Sequence, residues 1–105
     1  MPSYPKNYQK LLKRFPELMK AHEEVGRIAR TSGPLDEKTC HLIQLAAAIA
    51  ARSEGGVHSH TRRAIAAGAT RDEIYHVIAL MISTVGFPSA AAAFSWVSDV
   101  ISKKR

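Results

Sequence analysis

One cysteine, Cys40, is the whole thiol inventory of this 105-residue chain, which excludes an intrachain disulfide framework and any Cys-x-x-Cys redox pair. Acidic residues are also scarce, 9 against 15 lysines and arginines, leaving a net charge of +6. Aromatics make up only 7%, and none is interleaved with the basic residues in the manner of a base-stacking surface. Six glycines and five prolines are too few for a collagen-like or linker-like chain. The longest uncharged apolar run, Leu42 to Ala51, is far shorter than the ~20 residues needed to cross a bilayer. The opening Met1–Lys6 lacks the basic-then-apolar layout of a signal peptide, so the expected location is the cytoplasm.

What is present is 46% hydrophobic residues in a length suited to one core, and a single domain over 1–105 is expected. Lys6, Lys10, Lys13 and Arg14 share one helix face and Lys103–Arg105 form a basic tail. Such charges can meet phosphates, but no nucleic-acid-binding motif accompanies them. They read as a solvated face and tail, and nucleic acid is not taken as a partner.

Apolar residues recur at helical spacing and no run alternates with period two, so the fold class is all-α, with about six helices. The first helix is expected over about Lys6–Arg14, interrupted by Pro16, which lacks an amide and restrains Phe15. The second runs from Pro16 to about Arg30 with Leu18, His22, Val25 and Ala29 on one stripe. Asp36 caps a third helix, Glu37 to about Arg52, whose Leu45–Ala51 run is apolar on nearly every face. Glu54-Gly55-Gly56 is read as the break before a fourth helix, Val57 to Ala67, ended by Gly68. Thr70-Arg71-Asp72-Glu73 is a capping box opening a fifth helix with Ile74, Val77, Ile78, Met81, Ile82 and Val85 on its apolar side. Gly86-Phe87-Pro88 stops it, and a sixth helix follows to Ser102, with Phe94 and Trp96 as core or interface residues. That much apolar surface exceeds what one small core hides, so a homo-oligomer is expected.

Three stretches carry a family pattern: Leu35–Thr39 leading into the alanine-rich helix; His60-Thr61-Arg62-Arg63-Ala64 followed by Gly68–Ile74; and Gly86–Ala90. Together they resemble the carboxymuconolactone decarboxylase family, which includes the alkylhydroperoxidase AhpD-like proteins, over about Leu35–Ile101. On this division residues 35–102 are the family core and 1–34 an N-terminal helical arm. The resemblance implies an all-helical subunit assembled as a homotrimer or homohexamer, with its site between the third and fourth helices. Peroxidase members carry a Cys-x-x-Cys pair ahead of the histidine that matches His60. Here those positions hold Ser53 and Gly56. A glutamate of the preceding helix in those members corresponds to His41. Because a thiolate is the required nucleophile for peroxide chemistry, serine and glycine cannot replace the pair.

The decarboxylase branch is cysteine-independent and keeps the histidine. Decarboxylation of a lactone acid needs a cationic clamp and a proton donor for the developing enolate. The residues of both types are His60 and His41 as acid–base candidates and Arg52 and Arg63 as anion holders. Ser53 and Gly56 are expected beside them, and Arg62 is a further guanidinium nearby. A small organic acid or lactone is the expected ligand and a lyase the expected class of enzyme. Alkylhydroperoxidase activity and a non-catalytic binding or scaffold role are the alternatives. His41, His58 and His60 are chemically sensible metal ligands, but i and i+2 on a helix point about 200° apart, so His58 and His60 cannot face one ion unless the helix starts at His58, and no metal or cofactor is assigned. His58, four residues from both Glu54 and Arg62, is read as part of a solvated helix face. His22 and His76 are read as packing or interface residues.

Overall fold

The computed structural model describes residues 6–102. The basic tail at Lys103–Arg105 and the opening Met1–Pro5 lie outside them. Six helices and no strand occur among the described residues: α1 (Lys6–Arg14), α2 (Pro16–Arg30), α3 (Glu37–Ala50), α4 (Glu54–Ala66), α5 (Arg71–Val85) and α6 (Phe87–Ser102). The described residues divide into two compact units, one ending at Pro34 and the other beginning at Leu35.

In the first unit α1 packs along α2, and Tyr8 hydrogen-bonds to Glu23. Pro16 stands in the first turn of α2, where its missing N–H costs nothing. The stripe expected on α2 is not sequestered: Leu18, His22, Val25 and Ala29 are all exposed, and so is Ile28.

The second unit holds the core. The α3–α4 and α5–α6 pairs are joined by very short connections, which bring each helix back against its neighbour. Leu45, Ile49, Val57, Ala64, Ile74, Ala90, Ala93 and Val97 are sealed between the four helices. The alanines of α4 and α6 let those backbones approach closely, while Leu45, Ile49 and Ile74 supply the bulk. Trp96 packs partly buried against this cluster, whereas Phe94 is exposed and sits 5.6 Å, centroid to centroid, from Tyr75. The predicted capping box is formed: Glu73 N–H donates to Thr70 Oγ1 and Thr70 N–H to Glu73 Oε1. Asp36 caps α3 by accepting from Thr39 N–H at 2.8 Å.

The break between α3 and α4 lies elsewhere than the glycines suggest. The third helix ends at Ala50, and Arg52 takes the left-handed conformation at φ 54°. Ser53 then caps α4 by accepting from Gly56 N–H at 3.0 Å. Glu54, Gly55 and Gly56 are therefore the first turn of α4, not a linker. Tertiary packing explains it. A Cβ on Gly56 would fall 3.0 Å from Ala48 Cβ and 2.9 Å from Ser53 Oγ, so glycine is what allows α3 and α4 to close at this point.

Candidate functional site

The close α3–α4 pairing brings His41 and His60 together. Their Nδ1 atoms lie 3.3 Å apart and their ring centroids 5.5 Å apart. His41 is buried, at 1% exposure, and His60 is half-buried. One turn before His41, Glu37 Oε2 stands 3.7 Å from the other ring nitrogen, Nε2. A surface carboxylate, a buried imidazole and a half-buried imidazole thus form a chain.

The chemistry of two facing Nδ1 atoms is restrictive. Only one of them can carry a hydrogen at this distance, because the contact needs one donor and one acceptor. The Glu37 carboxylate favours a proton on His41 Nε2. Assigned from this network, His41 Nδ1 is the acceptor and His60 Nδ1–H the donor. His60 Nε2 then carries the lone pair, which is the state of a general base. A proton taken up there makes an imidazolium whose charge is shared toward Glu37. Two full imidazoliums would set N–H against N–H across this contact, so the geometry fits at most one charged ring.

The other expected site residues fall around the same helix pair. Arg52, at the α3–α4 turn, is exposed and donates from Nη1 to Ser89 Oγ at 3.2 Å. Arg63 is half-buried one turn beyond His60, on the same side of α4 by its i+3 spacing. Ser53 and Gly56 hold structural posts, as the cap of α4 and the point of closest helix approach. Cys40, beside His41 in sequence, places Sγ 3.6 Å from the Leu35 carbonyl oxygen. Two polar atoms near the pair in sequence, Thr61 Oγ1 and Gln44 Oε1, are buried without a hydrogen-bond partner.

His58 does not join the other two imidazoles. With α4 already helical from Glu54, residues 58 and 60 project to opposite sides, and a three-histidine metal centre is not assembled. His58 Nε2 instead meets Asp99 Oδ2 of α6 at 3.2 Å and Glu54 Oε2 at 4.0 Å. His58 is thus not simply part of a solvated face. His76 is exposed on α5. Sequence reasoning did not single out Glu37 or Asp99. The i, i+4 spacing of Glu37 to His41 was a readable signal, whereas Asp99 is 41 residues from His58 and only the packing of α6 on α4 reveals it.

Fold and site together define a small helical domain whose distinctive chemistry is a histidine pair across one antiparallel helix couple. The chain belongs to the carboxymuconolactone decarboxylase family, whose profile it matches over residues 16–99, taking in α2 and most of the second unit. It is similar to a carboxymuconolactone decarboxylase family protein from Legionella pneumophila, known from a crystal structure in the apo form. That likeness has a TM-score of 0.74 and 30% identity, and it covers 90% of this chain and 88% of that one. An uncharacterized protein of Haemophilus influenzae is 34% identical over 59 residues, 56% of this chain and 52% of that relative. The match thus spans about half the length of the curated relative.

Proposed function

We propose that this protein is a cysteine-independent, carboxymuconolactone decarboxylase-like lyase acting on a small organic acid or lactone, with His60 as its proton-transfer group. The reading takes residues 1–105 as one family domain, 35–102 its core and 1–34 a helical arm. It places the protein in the cytoplasm as a homotrimer or homohexamer. The observation that carries the chemistry is the 3.3 Å Nδ1–Nδ1 contact between His41 and His60 beside Glu37. In the reaction, the bond to the departing carboxylate breaks, its electron pair enters an enolate, and carbon dioxide leaves. His60 Nε2 first takes up a proton from solvent, and the imidazolium so formed delivers it to the enolate carbon and returns to the lone-pair state. Arg52 or Arg63 holds an anionic group of the substrate, and His41 orients His60 and spreads its charge toward Glu37.

The test is carbon dioxide release from a panel of lactone acids. His60→Ala is expected to lower kcat by about 10²–10⁴, the usual worth of a positioned acid or base, with assembly unchanged by size-exclusion chromatography. Loss of assembly would make His60 structural. Hydroperoxide turnover that disappears in Cys40→Ala would replace this reading with the peroxidase one.

A second reading, a non-catalytic ligand-binding or scaffold oligomer, is favoured by the structural use of Ser53 and Gly56. One caps α4 and the other has no room for a side chain. Under that reading no member of the panel turns over, and His60→Ala changes ligand binding alone.

A further inference from the structure

Glu54, His58 and Asp99 each offer one ligand atom, and the three atoms lie within 4.8 Å of one another. We infer that they form a divalent-cation site, of the zinc class, bridging α4 and α6 on the side of α4 away from the His41–His60 pair.

The donor set suits such an ion, with an imidazole nitrogen and two carboxylate oxygens. A tetrahedral ion with bonds of about 2.0–2.2 Å spaces its ligand atoms about 3.3–3.6 Å apart. The separations of 3.2 Å from His58 Nε2 to Asp99 Oδ2 and 4.0 Å to Glu54 Oε2 bracket that requirement. Glu54 and His58 are i, i+4 on one helix, so their side chains reach the same point above the surface. Asp99 closes the site from α6. The His58 ring is mostly buried, at 22% side-chain exposure, which fixes its direction between the two helices. The carboxylates are more exposed, at 59% and 49%, and can close by rotamer changes alone.

Charge makes the same point. The chain is short of acid, with 9 carboxylates against 15 basic side chains, yet two carboxylates converge on one imidazole. With that imidazole neutral the cluster holds two negative charges, the complement of a divalent ion. Three protein ligands leave a fourth position for water. Bound there, the ion ties α4 to α6 and stabilises the folded chain in proportion to its occupancy.

The experiment is titration of chelator-treated protein with Zn²⁺ alone, read by calorimetry, native mass spectrometry and thermal unfolding. One zinc per chain and a rise in Tm are expected. His58→Gln and Asp99→Asn should each weaken binding at least tenfold and remove the rise in Tm. His60→Asn should leave both intact. Circular dichroism confirms that each variant is folded, and either of the first two suffices if the other does not fold. Failure to bind Zn²⁺ would reduce the cluster to an ion pair and overturn the proposal. So would binding that survives both substitutions, or binding lost in His60→Asn and kept in His58→Gln.

Discussion

Gly56 shows how much one missing methyl can decide. Alanine is the better helix former by about 0.8–1.0 kcal/mol, which by itself predicts that Gly56→Ala stabilises α4. Sterics oppose this, since the new Cβ would meet Ala48 Cβ at 3.0 Å and Ser53 Oγ at 2.9 Å. Ser53 can rotate only by giving up its cap, itself worth about 1 kcal/mol, and Ala48 Cβ has no torsion to turn. Overpacking of this kind costs about 1–3 kcal/mol, so the net effect of Gly56→Ala is destabilising, by about 1 kcal/mol. Gly55 is the control, because nothing lies within 4 Å of a Cβ there. Gly55→Ala is expected to raise stability by a few tenths of a kcal/mol, on the order of a first-turn propensity gain. Urea denaturation of the two variants checks the opposite signs. The same position bears on chemistry, since the Cβ of a cysteine at 56 would meet the same two atoms.

At the level of elements, the second unit depends on its caps. Asp36 accepts from the side chain and backbone of Thr39, and these hydrogen bonds hold its carboxyl below the ordinary aspartate range. Glu73 is held low by the Thr70 backbone N–H first and by Lys38, 3.1 Å away, second. A carboxylate whose pKa is depressed on folding adds stability that is complete above its unfolded pKa. That stability is lost as pH falls through the folded value. The acid limb of unfolding should therefore begin below about pH 4–5, where unfolded carboxylates titrate, and steepen further down. Asp36→Asn and Glu73→Gln should each lower the Tm at pH 7 and flatten its fall toward pH 3. Equal acid slopes in the wild type and the double variant would mean that these caps do not govern acid unfolding. Both caps were readable in the sequence, because an N-cap is a local matter of one side chain and the next three amides. The start of α4 was not. The Ser53 cap is local too, but a Gly-Gly pair reads as a breaker unless the Ala48 contact is known.

For the whole molecule, the placement of apolar residues is the leading feature. Ile74 and Ile82 belong to one predicted stripe of α5, yet the first is sealed in the core and the second is 46% exposed. Leu80, Val85, Phe87 and Phe94 are exposed as well. The proposed homo-oligomer would cover these side chains, as interfaces cover exposed apolar patches. Light scattering is expected to give the mass of a trimer or hexamer. Ile82→Glu should lower that mass while preserving helicity, whereas Ile74→Glu should unfold the chain. A wild-type monomer would rule out the assembly.

The sequence by itself determined the all-α class, the bounds of α1 and α2, the capped starts of α3 and α5, and the family. These follow from period, caps and residue order, which act over a few residues or are carried by the chain as a string. That His58 and His60 diverge is helix geometry once α4 is known to begin at Glu54, upstream of both. Only the tertiary structure decided which partner each imidazole meets. His60 reaches His41 because Gly56 lets α3 and α4 close, and His58 reaches Asp99 because α6 packs across α4. Contacts between residues 19 and 41 positions apart depend on how helices register against one another. That register is set by the summed packing of Leu45, Ile49, Val57, Ala64 and Val97, not by any local signal.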